Sequence, residues 1–342
     1  MTGTTTWSEL ISQPDAWQSL LDRLAQPGEL PQLTLEDYDE IVLVGSGTSY
    51  YLAMAAADWL RRRTAIAVRA VPSCEVMLDP LEVAPRGTSR RLAIGFSRSG
   101  ESSELILAIK AMRLVGFTVL AVGCTEGSSL LGLGHHVFHI REGHEDGLVM
   151  LRSFTGMLIA VQYLFGSPDD RAALRQLPEL GRQLLATQKD ALQALAHGKA
   201  FDRFVFLASG ANYPIGVEAS LKIQEMSIST SEAYHSLEYR HGPKATADAQ
   251  TLVSLIALAD KGHGLALARD LKALGVTLVV TGPGAADYAE IADLAVPTGP
   301  GMSDGQASAL TLMPLQLIAF ETAMRKGSNP DAPVNLAKVV LF

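Results

Sequence analysis

The chain has 342 residues, 48% apolar and 19% charged, which excludes disordered, collagen-like and low-complexity classes. Its 28 basic and 36 acidic residues leave a net charge of −8, so a surface with bulk attraction for nucleic acid or acidic membranes is not expected. Two cysteines, Cys74 and Cys124, are too few for a disulfide framework or a zinc cluster and favour a reducing, cytoplasmic setting.

The opening MTGTTTWSELISQPDAW lacks the basic and apolar regions of a secretory signal. No uninterrupted apolar run of ~18 residues marks a membrane span. Residues 1–29 read as an N-terminal helical segment. Short β-branched runs at 41–44, 66–70, 92–96, 118–122 and 137–139 then alternate with helical stretches such as 49–63 and 104–115. This is the α/β pattern of βαβ units, and continuous apolar strands imply a parallel sheet covered on both faces. A long apolar helix is expected over 147–165, Ser167 and Pro168 open another, and 169–198 reads as a helical connector.

The rhythm restarts with strands at 204–207, 252–258, 277–280 and 294–296, a closing helix at 308–325 and a tail at 326–342. The segment IVLVGSGTSYYLAMAAADWL corresponds in kind to FVFLASGANYPIGVEASLKI, and LAIGFS to LVSLIALA, which suggests internal duplication. The turns after the second pair differ: SRSGESSE in one half, DKGHG in the other. An anion site kept in one half has lost its hydroxyls in the other.

The run Ser97-Arg98-Ser99-Gly100-Glu101-Ser102-Ser103 follows a buried strand and opens a helix. Unpaired backbone N–H groups and the positive end of the helix dipole converge at such a place, the serine hydroxyls add neutral donors, and Gly100 admits close backbone approach. An acidic protein can bind phosphate this way, although an N-capped serine turn has the same composition. Gly45-Ser46-Gly47-Thr48-Ser49 occupies the first strand–helix turn, where ligands of parallel sheets sit. Tyr50 replaces the small residue of a dinucleotide fingerprint, so no nucleotide cofactor is implied.

Glu218, Lys222 and Glu225 share one helix face, either as a solvated salt-bridge stripe or as a lysine tuning a proton-transfer carboxylate. His241 lies in the polar loop Tyr239-Arg240-His241-Gly242-Pro243-Lys244 and is a candidate acid–base group. His135, His136, His139 and His144 lack the spacing of a metal site, and no metal is expected.

Together GSGTSYYLA, FSRSGESSE, EASLKIQEMSISTSEAYHSLEYRHGPKA and NPDAPVNLAKVV resemble the sugar isomerase (SIS) family over residues 30–342. They are most like the tandem isomerase module of glucosamine-6-phosphate synthase and its stand-alone relatives. The resemblance implies two tandem SIS domains of doubly wound, flavodoxin-like type at 30–168 and 199–325. It implies that Gly47, Thr48, Ser49, Ser97, Arg98, Ser99, Gly100 and Ser102 hold a sugar phosphate. Glu225 then shuttles a proton between carbons 1 and 2, with Lys222 one turn before it. His241 assists ring opening and reaches a neighbouring subunit's site in a homodimer, and Lys338 contacts or forms an imine with the ketose.

The expected substrate is a phosphorylated hexose or amino-hexose, the expected reaction isomerisation or deamination, and no cofactor, nucleic acid or membrane is called for. Two other readings remain: a non-catalytic sugar-phosphate sensor, and a synthase-like transferase fed with ammonia. The chain begins Met1-Thr2-Gly3 without a cysteine nucleophile, so it is not expected to hydrolyse glutamine. Arg98 replaces the synthase's glutamine, and Met150-Leu151-Arg152 replaces its Ser-Thr-Lys, more in the manner of stand-alone deaminases or ketose–aldose isomerases.

Overall fold

The computed structural model describes residues 2–80 and 90–341. Met1, 81–89 and Phe342, which fall in the expected N-terminal segment, first domain and tail, lie outside the described residues. The chain divides into two compact units. One gathers 15–80, 90–146, 150–175 and 337–341; the other gathers 2–14, 147–149 and 176–336.

The first unit is built on an all-parallel sheet of β1 (Glu40–Gly45), β2 (Ala67–Pro72), β3 (Arg91–Ser97), β4 (Phe117–Gly123) and β5 (His136–His139), in the order β2-β1-β3-β4-β5. Each lies within a residue or two of its sequence expectation, because buried β-branched and apolar runs have few other places to go. Val42, Val44, Ala93, Val119 and Ala121 turn one face toward Leu105, Ala108, Ile109 and Met112 of α5 (Ser103–Leu114). Two helices that also pack on each other, α3 (Thr48–Arg61) and α7 (Arg152–Phe165), belong to the same unit. From β1 the chain moves outward to β2 and later returns to place β3 on the other side. The carboxyl ends of β1 and β3 are therefore a topological switch point.

The long apolar helix starts at Arg152 instead of residue 147. The Glu145 carboxylate accepts hydrogen bonds from the N–H groups of Leu151 (2.8 Å) and Ser153 (3.2 Å), satisfying donors that the helix start leaves open. Ser167 and Asp170 form a capping box on α8 (Pro168–Leu174), as Ser167-Pro168 suggests. The expected connector is broken into α8 and α9 (Leu177–Gly198), since Pro178 has no N–H to continue a helix from α8.

The second unit repeats the topology. Its parallel sheet runs β10 (Leu294–Pro297), β9 (Thr277–Gly282), β8 (Thr251–Ile256), β6 (Arg203–Ala208), β7 (Ser231–His235), the first sheet's order with β7 in the place of β2. The sequence reading missed β7. Its SEAYH composition carries no apolar run, and it pairs only with β6 at the sheet edge. The helix α10 (Tyr213–Ser227) packs on α12 (Asp304–Lys326). That helix begins four residues before the expected position because Ser303 and Gln306 form a capping box. It is long and apolar enough to cross a membrane by length and composition, but 94% of its most apolar window is buried, as in a core helix.

Candidate active site

In the first unit, the 97–103 loop leaves the end of β3 and enters α5. Ser97 Oγ accepts from Gly100 N at 2.8 Å, and Ser99 Oγ accepts from Glu101 N at 3.3 Å. This alters the expected picture. Two of the loop N–H groups are already taken by hydroxyls, and a third, on Ser103, donates to the Val340 carbonyl at 3.1 Å. The hydroxyl hydrogens of Ser97 and Ser99 are not used in these two bonds and can donate to an anion. Ser102 is the N-cap of α5, and its side chain makes no capping bond.

Gly100 has φ of 71°, and a Cβ there would stand 2.2 Å from Ser128 Oγ, so both its conformation and its surroundings require glycine. Glu101 turns away, accepting from Ser129 N (2.8 Å) and Ser129 Oγ (2.7 Å).

Arg98 is 6% exposed, with Nη1 3.5 Å from the fully buried Glu145 carboxylate. Its guanidinium therefore has a carboxylate partner within the protein, where the sequence reading gave it only to a phosphate. The β1–α3 turn lies at the same switch point: Thr48 and Ser49 are buried, and Ser46 Oγ joins Ser73 Oγ and Glu104 Oε2 (3.3 Å). Gly47 takes φ of 54° in this turn. Lys338 belongs to this unit too, its Nζ donating to the carbonyls of Glu145 and Asp146, each at 3.0 Å.

In the second unit, Glu218 and Lys222 on α10 are completely buried, which is incompatible with a solvated stripe. Lys222 Nζ is 3.2 Å from Glu218 Oε1 and also donates to Glu225 Oε2, and the Glu225 side chain retains 14% exposure. Burial works against the lysine's charge, but the pull of Glu218 and Glu225 is stronger and holds its pKa above the ordinary lysine value. The lysine thus stays an ammonium, while part of the Glu225 side chain remains exposed. His241 is exposed, on the turn after Glu238–Arg240, and its side chain makes no hydrogen bond among the described residues. His139 Nε2 is 3.4 Å from the Cys124 carbonyl, and among the described residues no cluster of three or more potential ligands is placed to hold a metal.

Sequence reading missed Glu145, Ser73 and Ser128. An acidic residue shortly before an apolar helix was the available signal for Glu145; nothing local marks the two serines.

The family model described as SIS domain matches residues 34–167 and 200–325. The chain belongs to the SIS domain family. Each matched stretch covers one of the two sheets. Among relatives, it is 29% identical to an isomerizing glutamine–fructose-6-phosphate aminotransferase of Pyrobaculum aerophilum, over 97% of this chain and 56% of that one. It is 30% identical to the enzyme of the same name from Gloeobacter violaceus, over 89% of this chain and 52% of the other. The chain spans about half the length of the curated relatives it matches. Among solved structures, glucosamine-6-phosphate deaminase from Thermotoga maritima is 27% identical with a TM-score of 0.81, covering 99% of this chain and 100% of that one. Tagatose-6-phosphate ketose/aldose isomerase from Escherichia coli, at 23% identity and a TM-score of 0.84 over 97% and 95% of the chains, shares the fold.

Proposed function

We propose that this SIS protein is an aldose–ketose isomerase and deaminase of amino-hexose 6-phosphates, of the glucosamine 6-phosphate and fructose 6-phosphate type. The observation that carries this reading is Glu225, partly exposed on a fully buried ammonium, Lys222, that Glu218 anchors. Such a carboxylate is suited to remove a proton and return it one carbon away. The likeness to the Thermotoga maritima deaminase, spanning both chains almost completely, supports the same reading.

In the proposed reaction Thr48, Ser97, Ser99 and Ser102 hold the 6-phosphate, with Gly47, Ser49 and Gly100 shaping the turns and Arg98 placed beside Glu145. Glu225 takes the C2 proton of the open-chain aldose and delivers it to C1 through an enolamine. The C1 aldehyde becomes an alcohol and the C2 amine becomes an imine. Water adds at C2 and ammonia leaves, giving the ketose; with a hydroxyl at C2 the same proton transfer completes an isomerisation. Lys222 and Lys338 offset developing oxyanion charge, and Lys338 is the amine available for an imine with the ketose. His241, exposed on its turn, assists ring opening at the site of a partner subunit in a homodimer.

The names of the curated relatives favour a second reading, amination of fructose 6-phosphate by supplied ammonia. One experiment separates the cases. The protein is incubated with a panel of hexose and hexosamine 6-phosphates, with and without ammonium, and ammonia release, ketose formation and hexosamine formation are followed. Ammonia and ketose from a hexosamine 6-phosphate uphold the proposal. Net hexosamine synthesis moves the assignment to the transferase. Saturable binding with no product moves it to a sensor.

A further inference from the structure

Glu145 is fully buried, and the reaction above makes no use of it. Its carboxylate accepts from Leu151 N, Ser153 N and Ser153 Oγ at the start of α7, and faces Arg98 Nη1 at 3.5 Å. Its main-chain carbonyl accepts from Lys338 Nζ at 3.0 Å. One residue thus joins the serine loop, a helix start and the tail lysine, all inside the first unit.

The geometry gives these contacts a direction. Arg98 stands between Ser97 and Ser99, its carbonyl fixed by Cys124 N (3.3 Å) and Thr125 Oγ1 (3.0 Å) and its guanidinium only 6% exposed. A guanidinium buried to that degree is costly to hold, and removing the carboxylate that faces it raises the cost of keeping it in place. If it moves, the neighbouring hydroxyls move with it. The far end of the loop is held at Ser103 N by the carbonyl of Val340, two residues beyond Lys338 in the same tail.

We propose that Glu145 is a positioning residue for phosphate binding. Its carboxylate fixes Arg98, and through Arg98 the 97–102 loop, in the conformation that receives the phosphate, while its peptide carbonyl holds Lys338 beside it. The proposal rests on the phosphosugar reading.

The test is equilibrium binding of glucitol 6-phosphate, which has no carbonyl and does not turn over, measured by calorimetry on the full chain. Glu145→Gln is expected to weaken binding about tenfold, and Arg98→Met by a similar factor, because each breaks the same buried pair. The double variant is expected to bind within about twofold of Arg98→Met alone, since Glu145 acts on the phosphate through Arg98.

A merely structural role, capping α7, would repeat the Glu145→Gln penalty on the Arg98→Met background, and that result overturns the proposal. Wild-type affinity in Glu145→Gln also overturns it. So does tighter binding, which would mean that Glu145 withholds Arg98 from the phosphate. Should Glu145→Gln not fold, Arg98→Met decides: unchanged affinity there overturns the proposal. A wild-type protein that binds no hexose phosphate removes the phosphosugar reading itself, a result distinct from wild-type binding that the variants leave untouched.

Discussion

Lys222 Nζ lies 3.2 Å from Glu218 Oε1 with both side chains completely out of solvent, one helical turn apart on α10. Removing the ammonium takes from buried Glu218, and from Glu225, the cation that faces them both. Breaking a buried pair from one side costs about 3–5 kcal/mol, because the stranded charge keeps its desolvation penalty. Lys222→Met is therefore expected to lower unfolding free energy in urea by about that amount at neutral pH. Adding Glu218→Gln to it should recover a large part of the loss. A single variant as stable as wild type would show that the charges do not depend on each other.

Glu225→Gln keeps shape and removes the base. General-base catalysis is worth about 10²–10⁴ in rate, so turnover of the best panel substrate is expected to fall at least 100-fold. Affinity for glucitol 6-phosphate should stay within about threefold, since the phosphate contacts assigned above lie elsewhere in the sequence. Full turnover in this variant removes Glu225 as the base.

A third prediction concerns pH. Asp331 accepts from Thr6 N (2.8 Å), Thr6 Oγ1 (2.8 Å) and Thr5 N (3.3 Å), so its carboxylate caps α1 (Thr4–Ile11) from across the chain. Partial burial favours the protonated form, but the hydrogen bonds from Thr6 and Thr5 outweigh it and hold the pKa below the ordinary 3.8. A folded-state value depressed in this way contributes stability above the unfolded-state pKa and loses it as pH falls through the folded-state one. Asp331→Asn should then cost about 1 kcal/mol at pH 7, the usual worth of a helix cap, with solvent screening keeping it from being larger. The difference from wild type should shrink as the pH drops below 3.8. A gap that is constant down to about pH 3 would mean the charge contributes nothing.

How much of this was legible in the sequence depends on the range of the signal. Strands such as β1 and β3 announce themselves because their burial is written in consecutive apolar residues. The edge strand β7 does not: its place comes from pairing with β6 and from contacts with α10, such as Gln224 Nε2 donating to the Ser231 carbonyl at 3.0 Å. The Glu218, Lys222 and Glu225 face was visible from spacing, yet only the fold shows that two of the three are fully buried. Arg98 is the instructive case. Read locally it is one more charge for a phosphate; its partner Glu145 is 47 residues away in sequence, and no periodicity connects them. Lys338 was found only by resemblance, because a lysine in a polar tail carries no local sign of the carbonyls it will meet.

The proposed homodimer makes His241 of one subunit part of its partner's site, and that can be read out without a structure of the assembly. Two inactive variants, Glu225→Gln and His241→Asn, are mixed after reversible dissociation. Each heterodimer then has one site with both defects and one with neither. Random reassociation of equal amounts makes half the dimers mixed, so about a quarter of all sites should regain activity. The recovery should vanish when the two proteins are mixed without dissociation. If His241 instead serves the site of its own subunit, mixing restores nothing, because every site retains one defect. A protein that is monomeric and fully active at assay concentration would remove the partner contribution altogether, and would return His241, exposed on its turn, to the role of a surface residue.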